Sequence, residues 1–437
     1  MSRPLDWPLL HGPVPFAVSA AAIASLGLLL HGVARHRPGR ALVGCAAAAT
    51  VAAAGGHLVD RVWRPFPDRL PPMVLVWAGC GLAGLALAAL GWPGARGRRR
   101  LLSTVAAAVA LIGCLSEINA MFGQYDSLRA ALGMRPANTV GLGDTTAAPR
   151  LVFPDPGRGL APVWRRPAAL DATGRLMTAP IPGARSGFAA RPAWIYLPPS
   201  YWSEPRPQLP VLVLVSGQPG TPRDWIDGGH VEKVMDEFAA RHDGLAPIVV
   251  MPDALGALTA NPLCLDSRLG NVETYLAEDV PAWLRDHLDV DPDPRRWAVG
   301  GYSYGGTCAL QLGVRRPDRF PTLLDISGQS EPTLGNRRST VAAAFGGDAA
   351  AFARVNPRDI MATQRFPATV ALLVAGRDDA EYGPQAKVVR AACEGAGMRV
   401  EWWELPGNHS WTVWGTGLVV ALPILATRLG LTTQAPR

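Results

Sequence analysis

The first third of the chain alternates four long apolar stretches with short arginine-bearing loops. The remainder alternates short apolar runs with amphipathic ones. The long stretches are Val14–Val33, Ala41–Val59, Met73–Trp92 and Leu101–Phe122, and Glu117 is their only formal charge. At about 1.5 Å of rise per residue, each covers the roughly 30 Å of a bilayer's hydrocarbon. The pattern predicts about four transmembrane α-helices over residues 1–123. Buried helices of a soluble domain are shorter and keep a polar face. No basic segment precedes the first stretch and three more follow it, which argues for a retained span over a cleaved leader.

The arginines set an expected orientation. Arg35, Arg37 and Arg40 lie between spans one and two, and Arg96, Arg98, Arg99 and Arg100 between three and four. The N-terminus has only Arg3, the loop between spans two and three mixes Arg61, Arg64 and Arg69 with Asp60 and Asp68, and Ser116–Arg129 is nearly neutral. Basic loops stay in the cytoplasm, so both termini and the large C-terminal region are expected outside it. His57, Asp60, Glu117 and Asn119 fall near the outer ends of spans two and four. A proton or ion path needs such groups facing one another at the midplane, so they read as interfacial and a transporter is not supported.

Residues 124–173 are rich in Pro, Gly, Ala and Thr without sustained periodicity, and read as a linker or neck. From residue 174 the pattern becomes strand–helix alternation. Strands are expected at Arg175–Pro180, Pro192–Leu197, Val211–Val215, Ile248–Met251, Trp297–Val299, Thr322–Ile326, Thr369–Val374 and Val400–Glu404. Helical periodicity falls at His230–Ala239 and Val272–Leu288. Continuous apolar strands suit a mostly parallel sheet with helices on both faces, so residues 174–437 are expected to form an α/β domain.

Composition adds little beyond this. The net charge of +7 rests almost wholly on arginine, with Lys233 and Lys387 the only lysines. Much of it sits beside the apolar segments and none forms a basic stripe interleaved with aromatics, which argues against nucleic-acid binding.

The candidate chemistry centres on Trp297–Leu310, WAVGGYSYGGTCAL. A strand-like run meets Gly300 and Gly301, turns through Tyr302-Ser303-Tyr304, and continues past Gly305 as a helix. This is the G-x-S-x-G pattern of a strained turn that lifts a serine hydroxyl clear of the backbone. Such a serine needs a base, usually a histidine oriented by a carboxylate. In the serine–acid–histidine order, the acid should follow a later strand. Asp379, in Gly376-Arg377-Asp378-Asp379, is the first choice and Asp378 the alternative; either could instead cap the next helix. Of eight histidines only His409 follows both. The oxyanion needs two fixed N–H donors. One is the Tyr304 amide; the other falls in the turn after Val211–Val215, where Pro219 has no N–H and Gln218 is the candidate.

Ser216-Gly217-Gln218-Pro219-Gly220, Gly301–Gly305 and Asn408-His409-Ser410-Trp411 together resemble the H-G-x-P-G turn, nucleophile elbow and histidine loop of an esterase group in the α/β-hydrolase superfamily. That group includes esterase D-like enzymes, enterochelin esterases and the mycolyltransferases of mycobacterial envelopes. The resemblance spans about Arg175–Leu431, and the four-span front end looks like its membrane-anchored actinobacterial branch. Two departures stand out. Ser216 occupies the usual histidine position, and the acid is aspartate where mycolyltransferases use glutamate.

Cys45, Cys80 and Cys114 lie in spans and read as small apolar fillers. In the C-terminal region, a Cys264–Cys308 disulfide would pin the loop after Ile248–Met251 beside Ser303, where an oxidising compartment would preserve it. No metal-ligand spacing and no cofactor motif is present. Tyr302, Tyr304, Trp225, Trp411 and Trp414 could line a pocket or plug the core. The reading that follows is a membrane-tethered extracytoplasmic serine esterase, acting on an envelope lipid or acylated glycan. The alternatives are an acyltransferase passing the acyl group to a sugar or lipid hydroxyl, and a non-catalytic envelope scaffold.

Overall fold

The computed structural model describes residues 4–63, 69–93, 95–136, 138–145 and 150–433. Arg3, Arg64 and Asp68 of the orientation argument lie outside them. The chain divides into two compact units, Met1–Met134 and Arg135–Arg437.

The first unit holds α1 (Pro13–Ala34), α2 (Pro38–His57, continued by a π-turn to Trp63), α3 (Pro72–Gly91) and α4 (Gly97–Phe122). All four helices are long and apolar enough to cross a membrane. Proline opens α1, α2 and α3, where its missing N–H costs nothing. Small residues make up most of the buried positions of this unit, with Leu29, Val33 and Leu87 beside them. α2 buries Ala41, Gly44, Ala48, Ala52 and Gly56, while Phe16 and Leu42 remain 77% and 73% exposed. Small residues let helices approach where lipid supplies no hydrophobic drive. A Cβ on Gly113 of α4 would lie 2.2 Å from that of Ala22 in α1. Asp60, Glu117 and Asn119, three of the polar groups near the span ends, are fasteners within this unit. Ser19 donates to Glu117, Asn119 pairs with both main-chain groups of Tyr125 at 2.8 Å, and the Leu70 N–H reaches Asp60 at 3.0 Å.

The second unit is built on a nine-stranded sheet. Its strands are β1 (Thr139–Val140), β2 (Arg175–Ala179), β3 (Ala193–Leu197), β4 (Val211–Val215), β5 (Ile248–Met251), β6 (Trp297–Tyr302), β7 (Thr322–Ile326), β8 (Val370–Gly376) and β9 (Arg399–Leu405). Their spatial order is β1-β2-β3-β5-β4-β6-β7-β8-β9. Only β3 runs against its neighbours. The main helices are α5 (Val231–Arg241), α6 (Val280–His287), α7 (Tyr304–Arg315), α8 (Tyr382–Gly395) and α9 (Trp411–Arg428). β4 and β6 are buried at every position, as expected of parallel strands covered on both faces.

Three details refine the expectations. The Trp297 strand continues to Tyr302, because Gly300 and Gly301 stay paired with Leu214 and Val215 on one side and Leu324 and Asp325 on the other. The Val272–Leu288 run is helical from Val272 to His287 as expected, with a π-turn over Tyr275–Asp279 inside it and α6 as its last part; Pro281 lacks the N–H that a regular α-helix would use. The 124–173 segment is more than a linker. Thr139 and Val140 add an edge strand paired with Leu176 and Met177. Trp164 is buried and donates its indole N–H to the Asp243 carbonyl at 3.0 Å.

Candidate active site

β6 lies between β4 and β7, so its C-terminal end delivers Ser303 to the middle of the sheet edge. Ser303 has φ 56° and ψ −122°, a backbone region that non-glycine residues occupy only when their surroundings enforce it. The enforcement is steric and hydrogen-bonded. A Cβ on Gly305 would lie 2.0 Å from the Val215 carbonyl oxygen, and one on Gly301 2.4 Å from that of Gly305. The Ser303 N–H donates to Ile326 O at 2.8 Å, and the Ser303 carbonyl accepts from Thr307 N–H at 3.1 Å.

Two later loops bring the partners. β8 ends at Gly376 and the chain turns through Asp378 and Asp379 into α8; β9 ends at Leu405 and the chain turns through Gly407 to His409. The two loops touch, and a Cβ on Gly376 would sit 2.6 Å from Gly407 O. His409 Nε2 lies 3.0 Å from Ser303 Oγ, and His409 Nδ1 lies 2.9 Å from Asp379 Oδ2. Asp379 is buried, and its Oδ1 accepts the Tyr382 N–H at 2.9 Å. One carboxylate therefore caps α8 and meets the histidine, a helix start being a favourable place for negative charge. Asp378 faces elsewhere, accepting the Gly407 N–H at 3.1 Å. The Tyr382 ring stacks on the His409 imidazole at 3.9 Å and 15°, and Trp414 meets it edge-on at 4.9 Å. Sequence reasoning passed over Tyr382; its only signal was its place three residues beyond Asp379, at the start of α8.

The turn after β4 borders the serine, since a Cβ on Gly217 would come within 3.3 Å of the Ser303 Cβ. Ser216 closes this turn by donating to Thr221 O at 2.7 Å. The Gln218 side chain donates to Thr259 O at 3.0 Å. Tyr304 is the first residue of α7, where N–H groups have no intrahelical acceptor. Arg191 braces the turn by donating to Gly220 O at 2.9 Å and, through two nitrogens, to buried Asp253. Asp224 accepts Thr221 N–H and Oγ1–H at 3.0 and 2.9 Å. Burial raises its carboxyl above the ordinary range, an effect those hydrogen bonds oppose.

Cys264 and Cys308 are disulfide-bonded, joining the long loop after β5 to α7. Two further links act beside the bridge. Tyr304 Oη accepts the Cys264 N–H at 2.9 Å and donates to Ala254 O at 3.1 Å, and Gln311 donates to Leu263 O at 2.8 Å. Trp225, Tyr302, Trp411 and Trp414 are all buried and packed ring against ring. They plug the core beneath the site rather than forming an open pocket wall. Among the described residues, no group of three or more His, Cys, Asp or Glu could hold a metal ion.

Residues 189–425 match the Esterase family, whose description is "Putative esterase". A protein of Corynebacterium glutamicum described as uncharacterized is 33% identical over 428 residues, covering 95% of this chain and 96% of its own. Among solved structures, a ferulic acid esterase is similar at TM-score 0.50 and 20% identity, covering 59% of this chain and 99% of its own. An S-formylglutathione hydrolase from Agrobacterium tumefaciens has the same score and identity, covering 59% and 97%. These two likenesses support the fold, and the family match carries the chemistry. The chain belongs to the Esterase family, serine carboxylic ester hydrolases of the α/β-hydrolase fold.

Proposed function

We propose that Ser303, His409 and Asp379 form the catalytic triad of a membrane-tethered extracytoplasmic esterase. The hydrogen-bonded line from Ser303 Oγ through His409 to Asp379 carries this reading. Ser303 Oγ attacks the ester carbonyl carbon while His409 Nε2 takes its proton, and Asp379 holds Nδ1–H and steadies the imidazolium. The main-chain N–H groups of Tyr304 and Gln218 receive the oxyanion. Collapse expels the alcohol with the proton from His409, leaving an acyl-enzyme on Ser303. Water, deprotonated by His409, then releases the acid and restores the serine.

The four apolar helices supply the tether, and the arginine-rich loops favour a cytoplasmic side opposite the catalytic domain. The disulfide agrees with an oxidising compartment. Substrates at that surface are envelope lipids or acylated glycans. The test is hydrolysis of p-nitrophenyl acyl esters by the detergent-solubilised full chain, beside its Ser303→Ala and His409→Ala variants. Turnover lost in both supports the reading; turnover equal to wild type in either sinks it.

A further inference from the structure

We infer that Tyr382 is a positioning residue for the general base, acting through the face of its ring on the imidazolium that forms during the reaction. The inference rests on the Ser303–His409–Asp379 reading and adds a fourth participant to it.

Tyr382 touches both later members of that line through different atoms. Its main-chain N–H donates to Asp379 Oδ1 at 2.9 Å, and its ring lies 3.9 Å from His409, nearly parallel at 15°. The residue is buried, 1% exposed, and opens α8, so its backbone is fixed by the helix it starts. His409 is held in its plane by hydrogen bonds at both nitrogens, which leaves rotation out of that plane to be resisted by packing on its faces. Tyr382 supplies that packing on one face, and Trp414 meets the ring edge-on.

The stack also has an electrostatic sign. An aromatic face is negative, and a cation over it is attracted, most strongly where water is excluded. Neutral His409 gains little from this. Once Nε2 has taken the Ser303 proton the imidazole is cationic, so the attraction grows toward the transition state. Interactions that strengthen there raise kcat rather than lower KM. Removing the ring should therefore reduce kcat by about 3- to 30-fold with KM unchanged.

The main-chain bond to Asp379 survives any side-chain substitution, so it does not confound the test. Hydrolysis of p-nitrophenyl butyrate would be measured for the full-length protein, for Tyr382→Leu, for Tyr382→Phe, and for variants carrying progressively fluorinated phenylalanines at 382. The fluorinated rings keep the shape while draining the negative face. We expect the leucine variant to lose kcat at constant KM, phenylalanine to restore it, and kcat to fall stepwise with fluorination. Wild-type kcat in the leucine variant overturns the inference. So does a phenylalanine variant as impaired as leucine, which would make the hydroxyl the active group. A flat fluorine series would reduce the role to shape and overturn the electrostatic part. If the wild type itself hydrolyses no ester, the triad reading fails first, and that result is distinct from all of these.

Discussion

Asp378 and Asp379 are adjacent in the chain, and their carboxylates bond different residues of one loop. Asp379 Oδ2 is 2.9 Å from His409 Nδ1, whereas Asp378 Oδ2 accepts the Gly407 N–H at 3.1 Å. One orients the ring and the other holds the turn that presents it. Asp379→Asn is expected to lower kcat by roughly 10³- to 10⁴-fold, as loss of the orienting acid does in serine proteases. Asp378→Ala removes one main-chain hydrogen bond, worth about 1 kcal/mol, and should cost less than tenfold. Steady-state kinetics of the two variants decide it, and the reverse ranking would exchange their roles.

The Gln218 side chain donates one N–H to Thr259 O at 3.0 Å, and the oxyanion donor proposed is its main-chain N–H. Gln218→Ala is expected to keep kcat within about fivefold. Loss of a true oxyanion donor costs roughly 10²- to 10³-fold. A loss of that size in the alanine variant would assign the donor to the side chain instead.

The Cys264–Cys308 bridge closes a sequence separation of 44 residues. Constraint of the unfolded chain by a loop of that size is worth up to about 4 kcal/mol. Paired Cys264→Ser and Cys308→Ser substitutions should lower the melting temperature by several degrees. Reactivity of Ser303 should survive, because Tyr304 and Gln311 still hold the loop. A differential scan with and without reductant checks the first expectation. An unchanged melting temperature would show that the bridge adds nothing.

Asp325 lies on β7 against Gly306, and its Oδ1 accepts the Gly328 N–H at 2.8 Å. Burial pushes its carboxyl up to about 7 from an ordinary value of 3.8, against the pull of that N–H. Between about pH 4 and pH 7 the folded state keeps a proton that the unfolded state has released. Stability therefore falls as pH rises through this window and levels off above it. Asp325→Asn keeps an acceptor for Gly328 without the charge. Denaturant unfolding should find it more stable than wild type at pH 8, by an amount on the order of a few kcal/mol, with the gap closing toward pH 4. A gap independent of pH would contradict this account of Asp325.

Much of this was legible in the sequence because it follows from local rules. β4 and β5 are readable to the residue as unbroken apolar runs, and β7 as a mostly apolar run that carries Asp325. Chain order and turn chemistry single out Ser303, Asp379 and His409 as candidates. What escaped depends on distant contacts. Two residues, Thr139 and Val140, are too few to show a period, and they become a strand only by pairing with Leu176 and Met177. No local pattern separates Asp378 from Asp379, because the difference lies in which carboxylate reaches His409. Trp411 and Trp414 fit pocket or plug equally from their local sequence, and only their burial separates the two. Arg191 and Asp253 brace the Gly220 turn from positions 62 residues apart in the chain, a pairing that no local pattern announces.

Ser303 stands as a nucleophile activated by His409 in the proposed mechanism. The most direct measurement is labelling of membranes containing the full-length protein with a fluorophosphonate probe, with the modified peptide mapped by mass spectrometry. A single adduct on Ser303 is expected, absent from Ser303→Ala and strongly reduced in His409→Ala. A well-folded wild type that takes no label, or takes it at another residue, would contradict it.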